Sequence, residues 1–397
     1  MRILHTSDWH IGRQIYNVSL LEDQRYVLEQ MVDICKTKKV DVMLIAGDLY
    51  DRAIPPANAV ALVDDILNQI CNALDIPVIV IAGNHDGPER LGFAYRQLEK
   101  GNLYITGPLQ AAISPVILQD KHGDVAFYPI PYADPATVRD VFDSVDSSIN
   151  SKDDDSEATQ LSTHDQCMQR VLQQIPDQQT PDQENNRSVV ISHCFISGGK
   201  ECESERPLSV GGAEQVSASH FKRFSYTALG HLHRPQKQSL ESIRYSGSIL
   251  KYSFSEEQHK KSITLVDMDE KGHCSIEQLA LKSLRDMRSI SGGMDDIIAD
   301  AKNDPHKDDY LLISLTDKHA ILDPMNKLRQ VYPNILHLER PGLMSQNTQK
   351  LTNRDVRNKS KLSMFEDFYQ QVQGDDLTED QQKIMTSLID DLQLGDV

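Results

Sequence analysis

A chain of 397 residues with a formal net charge of -18 is long enough for two or three cores, and its global field repels nucleic acid. Phosphate binding rests on local Lys and Arg, so the acidity argues against a passive DNA coat and leaves open a nuclease whose metal ions bring positive charge locally. The six scattered cysteines form no Cys-x-x-Cys pair, Met1-Arg2-Ile3-Leu4 leaves no room for a signal peptide, and no apolar run approaches the roughly 20 residues that span a bilayer, which together predict a cytoplasmic protein with no membrane segment.

Over the first hundred residues strand and helix signals alternate. Arg2–Thr6 predicts a short strand, and Leu20–Lys38 a helix with Val27, Leu28, Met31, Val32, Ile34 and Cys35 at mixed three-and-four spacing. Val40–Ala46 predicts a buried strand, Ala57–Leu74 a second helix, and the β-branched run Pro77–Ala82 a third strand. This alternation implies crossover connections and a mostly parallel sheet, with ligands bound beyond the strand ends. Residues 143–187 turn polar, with the run Asp153-Asp154-Asp155, and read as a solvated, partly disordered insertion interrupted by a short helix around Asp165–Gln174. Val189–Ser192 and Tyr226–Leu229 are two further strand candidates.

From about Ser283 the pattern becomes a small α/β unit: helix Asp295–Lys302, strand Tyr310–Leu315, helix Met325–Val331 and strand Ile335–Leu338. A linker over 341–361 follows. The tail carries two short amphipathic helices. One has Leu362, Phe365, Phe368, Tyr369 and Val372 along a face. The other opens on the capping-box pattern Thr378-Glu379-Asp380-Gln381 and continues with Ile384, Met385, Leu388, Ile389 and Leu392. Helices this short need a partner for their apolar faces, either this chain or another.

Five polar clusters stand at the strand ends: Asp8-Trp9-His10, Gly47-Asp48, Gly83-Asn84-His85-Asp86, His193, and Gly230-His231-Leu232-His233. They offer Asp8, His10, Asp48, Asn84, His193, His231 and His233 as metal ligands. Mixed imidazole and carboxylate donors suit manganese, iron or zinc rather than magnesium or calcium, and manganese is the expectation for a nuclease. A pair of such ions clamps the attacking and leaving oxygens of a phosphoryl displacement, and Asp48 is the carboxylate best placed to bridge them. His231 and His233, two apart, would face opposite sides of a strand, so a loop favoured by Gly230 and Pro235 must bring both to one site. His85 is assigned to chemistry rather than ligation, stabilising phosphoryl charge or protonating the leaving alkoxide. Asp86 stands behind it as a carboxylate that would orient it or raise its pKa. The remaining histidines, His122, His259 and His337 among them, read as surface residues.

These clusters resemble the signature of the calcineurin-like metallophosphoesterases. The segments MRILHTSDWHIGR, IAGDLYD, VIAGNHDGPERL, ISHCFISGG, SERPLSVGG, ALGHLHRPQ and YSGSILKYSFSE are similar to the SbcD family, nuclease subunits of bacterial SbcCD complexes. The resemblance is nearly continuous over 1–280 and weakens in the 143–187 insertion and the tail. It implies an α/β fold in which a β-sandwich flanked by helices (1–282) precedes a small DNA-capping α/β domain (283–340) and a helical partner-binding segment (362–397). It implies that Asp8, His10, Asp48 and His233 hold one metal, that Asp48, Asn84, His193 and His231 hold the other, and that His85 is catalytic. It further implies a homodimer through Ala57–Leu74 and Glu89–Lys100, within a heterotetramer with the SMC-like ATPase SbcC, and Arg13, Arg52 and Arg90 as candidate DNA contacts. The implied activity is that of a DNA exonuclease acting 3'-5' on duplexes and an endonuclease on single strands and hairpins, ATP-dependent with SbcC, in DNA recombination, repair and replication. A phosphatase or small-molecule phosphodiesterase on the same fold, or a non-catalytic scaffold, are the alternatives.

Overall fold

The computed structural model describes residues 1–149, 161–176, 187–208, 214–341, 360–373 and 376–394. The chain divides into two compact units, Met1–Leu284 and Arg285–Val397.

In chain order the first unit contains β1 (Arg2–Thr6), α1 (Leu21–Lys38), β2 (Val42–Ala46), α2 (Ala57–Asn68), β3 (Val78–Ile81), β4 (Leu103–Thr106), β5 (Val116–Asp120) and β6 (Gly123–Ile130). It continues with α3 (Pro135–Ile149), α4 (His164–Leu172), β7 (Ser188–His193), β8 (Tyr226–Gly230), β9 (Gln236–Gln238), β10 (Leu240–Tyr245), β11 (Ser262–Met268) and β12 (Cys274–Ala280). Two six-stranded sheets form, ordered β12-β11-β1-β2-β3-β4 and β9-β10-β8-β7-β6-β5. Strands β1 to β4 run parallel, as do β10, β8, β7 and β6, while β11, β12, β5 and β9 pair antiparallel at the flanks. The parallel run β1 to β4 is as the alternation predicted, and the antiparallel strands at the flanks make both sheets mixed.

The sheets pack face to face. Ile3, Val42, Leu44, Ala46, Ile79 and Ile81 of the first meet Val125, Phe127, Val189, Ile191, Tyr226 and Ala228 of the second in one core. Leu4, Met43, Ile45, Val78 and Val80, which alternate with that set, are equally buried on the outer face, so these strands read as continuous apolar runs. Across the second sheet, α3 and α4 bury Val138, Phe142, Cys167 and Val171 with Tyr128, Ile130 and Val190.

Several boundaries depart from the sequence expectations for local reasons. Helix α1 ends where Lys39 turns left-handed (φ 53°) and the Val40 N–H returns to Cys35 O at 3.1 Å, so β2 starts only at Val42. Helix α2 passes into a π turn over Gln69–Ala73. Glu89–Lys100 is not one helix: single turns at Pro88–Leu91 and Tyr95–Leu98 are separated by Ala94 at φ 60°. In the insertion, α4 opens on a capping box of Thr163 and Gln166, whereas Asp153–Asp155 lie outside the described residues. The surface reading fails for two histidines. His5 is fully buried, 2.9 Å from the Tyr226 hydroxyl and 3.1 Å from Leu229 O, and burial pushes its pKa down to about 3. His164 is buried as well.

The second unit contains β13 (Met287–Gly292), α5 (Met294–Asp300), β14 (Tyr310–Leu315), α6 (Pro324–Arg329) and β15 (Ile335–Glu339). Its three strands are parallel in that order, over a core of Met294, Ile297, Leu311, Ile313, Leu328 and Tyr332. Residues 342–359 of the expected linker lie outside the described residues. The tail forms α7 (Lys361–Gln373) and α8 (Glu379–Leu394). The expected capping box is made: Thr378 N–H donates to Gln381 Oε1 at 2.9 Å, and Gln381 N–H to Thr378 Oγ1 at 3.4 Å. Phe368 and Ile384 are 58% and 60% exposed. The side chains of Val372 and Leu392 are not among those described. No described helix is long and apolar enough to cross a membrane.

Candidate metal centre

Strands β1, β2 and β3 of one sheet and β7 and β8 of the other release the chain into loops that meet. Asp8 N–H donates to Gly47 O at 3.1 Å and His10 N–H to Asp48 O at 2.9 Å, which ties the first two loops together. Asp8, His10, Asp48 and His231 all hold left-handed backbone, with φ of 52°, 46°, 51° and 107°. Such conformations cost roughly 1–3 kcal/mol each in non-glycine residues and persist only where the surroundings over-determine them. Two glycines permit the approach. A Cβ on Gly83 would stand 2.2 Å from Asp48 Oδ1, and one on Gly47 would stand 2.3 Å from His193 Nδ1.

The side chains then converge. Asp8, His10 and His233 each bring a ligand atom within 4.8 Å of the others, and so do Asp8, Asp48 and His193. Asp48 Oδ2 lies 3.7 Å from His10 Nε2 and 3.5 Å from His193 Nε2, between the two groups. Asn84 Oδ1 is 2.9 Å from His193 Nε2, and His10 Nε2 is 3.1 Å from His233 Nε2. His231 packs edge-on against His193 with ring centroids 5.4 Å apart, and its N–H donates to the Asp8 carboxylate at 3.0 Å.

This donor set fits divalent cations. His193 Nδ1 faces Ala46 O at 2.9 Å and must donate, so its Nε2 carries a lone pair. That lone pair meets the Asn84 carbonyl oxygen and the Asp48 carboxylate, acceptor against acceptor in a buried place. His10 Nδ1 and Asn84 Nδ2 are buried without a hydrogen-bond partner. Burial holds the pKa values of His10, His193, His231 and His233 down, leaving neutral imidazoles, and burial followed by the charge of Asp48 pushes that of Asp8 up. A cation satisfies both tendencies at once.

His85 lies half-buried beside this cluster, its ring 4.6 Å from that of His10. Its N–H donates to Asp48 Oδ1 at 2.8 Å and its Nδ1 to Asp51 O at 2.9 Å. Asp86 does not orient it. The Asp86 carboxylate instead accepts from Leu49, Tyr50 and Gly83 N–H at 3.1, 2.9 and 2.9 Å, lacing the Asp48 loop to the Asn84 loop. Its carboxyl is pushed up to about 7, by burial first and Asp48 second. Arg13 donates to Asp51 Oδ1 at 3.1 Å and Ser204 O at 3.2 Å and lies over the Tyr252 ring, so it braces these loops. Arg52 and Arg90 are exposed.

Other supporting residues escaped the sequence reading. Gln24, fully buried on α1, donates to Trp9 O at 3.2 Å and His10 O at 2.8 Å and accepts from Gly12 N–H at 3.0 Å, fixing the first ligand loop. Its place one turn before the apolar Leu28 and two before Met31 was its signal. Ser204, Glu205, Glu256 and Lys261 gather behind His233. The first three lie in the SERPLSVGG and YSGSILKYSFSE segments, which marked the resemblance without suggesting a task.

Residues 1–235 match the calcineurin-like phosphoesterase family, and residues 283–373 match the family described as type 5 capsule protein repressor C-terminal domain. The chain is 34% identical over 380 residues to a Staphylococcus epidermidis protein named as the SbcD subunit of nuclease SbcCD, covering 96% of this chain and 95% of that one. It is 34% identical over 395 residues to the Staphylococcus saprophyticus protein of the same name, covering 98% and 99%. Among solved structures, TT1561 of Thermus thermophilus overlaps 71% of this chain and 99% of its own at 12% identity and a TM-score of 0.39, a likeness too slight to bear on the fold.

Proposed function

Because this chain belongs to the calcineurin-like phosphoesterases, and within them to the SbcD family, we infer that it is the nuclease subunit of an SbcCD-type complex, hydrolysing DNA phosphodiesters with two divalent metal ions. The observation that carries the reading is the buried convergence of lone pairs on Asp48 Oδ2, which stands between His10 and His193. We assign Asp8, His10, Asp48 and His233 to one ion and Asp48, Asn84, His193 and His231 to the other, with manganese favoured by the mixed donors. When bound, the ions supply Lewis acidity that activates a water nucleophile and neutralises charge on the phosphoryl oxygens. The chain's own residues do the rest. Asp48 would serve as a ligand to both ions, and it anchors the His85 backbone. His85, with its Nδ1–H committed to Asp51 O, would act as general acid when it carries a second proton on Nε2, giving that proton to the departing sugar oxygen and keeping the one on Nδ1. Arg52 and Arg90 are assigned to DNA phosphates.

The α/β part of the second unit is assigned to capping DNA, and α7 with α8 to docking on the SbcC-type ATPase. Exposed Phe368 and Ile384 support the latter. A homodimer is assigned to Ala57–Leu74 and Glu89–Lys100, where Phe93 is 80% exposed and, just before the first of them, Ile54 is 68% exposed. These assignments suit a cytoplasmic DNA-processing enzyme.

The test is manganese-dependent digestion of end-labelled duplex and hairpin DNA, with and without SbcC and ATP, beside hydrolysis of an aryl phosphodiester. Shortening of the duplex and opening of the hairpin are expected, stimulated by SbcC with ATP. Hydrolysis of the aryl ester with intact DNA in every arm would replace the nuclease by a small-molecule phosphodiesterase. Inertness toward all of them, with no manganese retained, would leave a scaffold.

A further inference from the structure

Behind His233 lies a buried polar cluster to which metal ligation itself gives no task. Glu256 is 0% exposed, and Ser204 and Lys261 are buried beside it. Groups of this kind are costly unless paired, and here Ser204, Glu256 and Lys261 each pair with His233. Ser204 Oγ lies 2.6 Å from His233 Nδ1 and 2.5 Å from Glu256 Oε1. The Lys261 ammonium pairs with the other oxygen of Glu256, which is therefore a carboxylate and only accepts. The serine hydrogen must go to Glu256, and the serine oxygen must accept from His233 Nδ1. His233 is thereby held as the Nδ1–H tautomer, its Nε2 lone pair turned toward His10 Nε2 at 3.1 Å.

The rest of the cluster fixes the backbone of the same residue. Lys261 Nζ donates to His233 O at 2.8 Å and Ser248 Oγ at 2.7 Å, and Glu205 Oε1 accepts the His233 N–H at 2.6 Å. Tyr252 N–H donates to Glu256 Oε1 at 3.1 Å. The arrangement at His193 is different, since its Nδ1 is set by a backbone carbonyl. The two halves of the centre thus differ in what maintains them.

We propose that Ser204 and Glu256, clamped by Lys261, are positioning residues that fix the tautomer and aim of His233, so that their loss weakens cation binding in the half that holds His10 and His233 and spares the half that holds Asn84, His193 and His231. The proposal rests on the two-metal reading above. Partners that orient a ligating histidine are typically worth about 10–100-fold in metal affinity. A role in folding alone would loosen both halves together.

The experiment is calorimetric titration of the full-length, chelator-stripped protein with Mn2+. Wild type should take up two ions. Ser204→Ala and Glu256→Gln should each bind one ion with unchanged affinity and the other about 10–100-fold more weakly. Ser204→Thr, which keeps the hydroxyl, should recover most of the loss. Two ions in wild type with identical binding in Ser204→Ala, or equal weakening of both steps, overturns the proposal and leaves the two-metal reading standing. No uptake by wild type removes the two-metal reading itself. Imidazole 15N NMR of the metal-free wild type, with His233→Gln for assignment, decides the tautomer even if the variants fail to fold. A His233 ring protonated at Nδ1 is expected, and one protonated at Nε2 refutes the proposal.

Discussion

His85 has one ring nitrogen spent on Asp51 O and a backbone N–H spent on Asp48, so its ring is placed without being needed to hold the proposed ligands. His85→Ala is therefore expected to bind two manganese ions by calorimetry while turnover on duplex DNA falls about 10²–10⁴-fold, the usual worth of general acid catalysis. Undiminished cleavage would take His85 out of the chemistry. Gly83→Ala tests the opposite kind of residue. Its Cβ would meet Asp48 Oδ1 at 2.2 Å and Asp48 N at 2.3 Å, so that carboxylate must move. Loss of manganese uptake together with a lower Tm is expected, and a variant that binds normally would mean the loops yield more easily than their left-handed backbone suggests. At this scale the converging polar residues were legible because each ends or closely follows a strand. Their supporters were not. The carbonyl of Asp51 orients His85, and a backbone oxygen leaves no trace in residue identity. Asp86 carried the expected chemistry and spends it on neighbouring loops instead.

Helices were more legible than strands. The capping pattern at Thr378 announced α8, and its hydrogen bonds are formed. The strands β2 and β3 were readable because burial on both faces makes them uninterrupted apolar runs. Strands β5 and β12, at sheet edges, largely alternate half-buried with exposed residues, and in Cys274–Ala280 the polar Ser275, Glu277 and Gln278 break up the apolar residues. The helix expected over Glu89–Lys100 failed because Ala94 turns left-handed, which nothing about alanine suggests. The exposed faces of α7 and α8 invite a test of their own. Phe368→Glu removes a side chain that is 58% exposed, so Tm and manganese-dependent cleavage by the isolated chain should hold. Co-purification with SbcC should drop at least about tenfold, since exposed aromatic anchors carry a large share of interface energy. Unimpaired co-purification would move the docking surface elsewhere.

Across the whole first unit, one ion-pair cluster ties distant stretches of chain. Asp120 at the end of β5 accepts from buried Arg187 at 2.8 and 2.6 Å and pairs with the Met1 amino group at 2.7 Å. Arg187, before burial and the Met1 amino group are counted, holds the Asp120 carboxyl well below the usual carboxylate range. A depressed acid contributes stability above its unfolded pKa of about 3.9 and loses it as pH falls toward the folded value. Urea melts should therefore show Asp120→Ala destabilised by about 3–5 kcal/mol at pH 7, because buried Arg187 is left unpaired. The gap from wild type should narrow below pH 4. A constant gap across that window would assign the effect to packing.

The proposed ligands come from both layers of the sandwich: Asp8, His10, Asp48 and Asn84 follow strands of one sheet, and His193, His231 and His233 end or follow strands of the other. Any ion gripped by Asp48 and His193 together is a rivet through the two layers, so chelation should be felt as mechanical loosening well beyond the catalytic pocket. Ligand linkage puts that at about 2.7 kcal/mol when free manganese stands at 100 times its Kd. EDTA should accordingly lower the melting temperature of the layered unit and speed amide exchange along β2 and β7, even in a protein whose His85 has been removed.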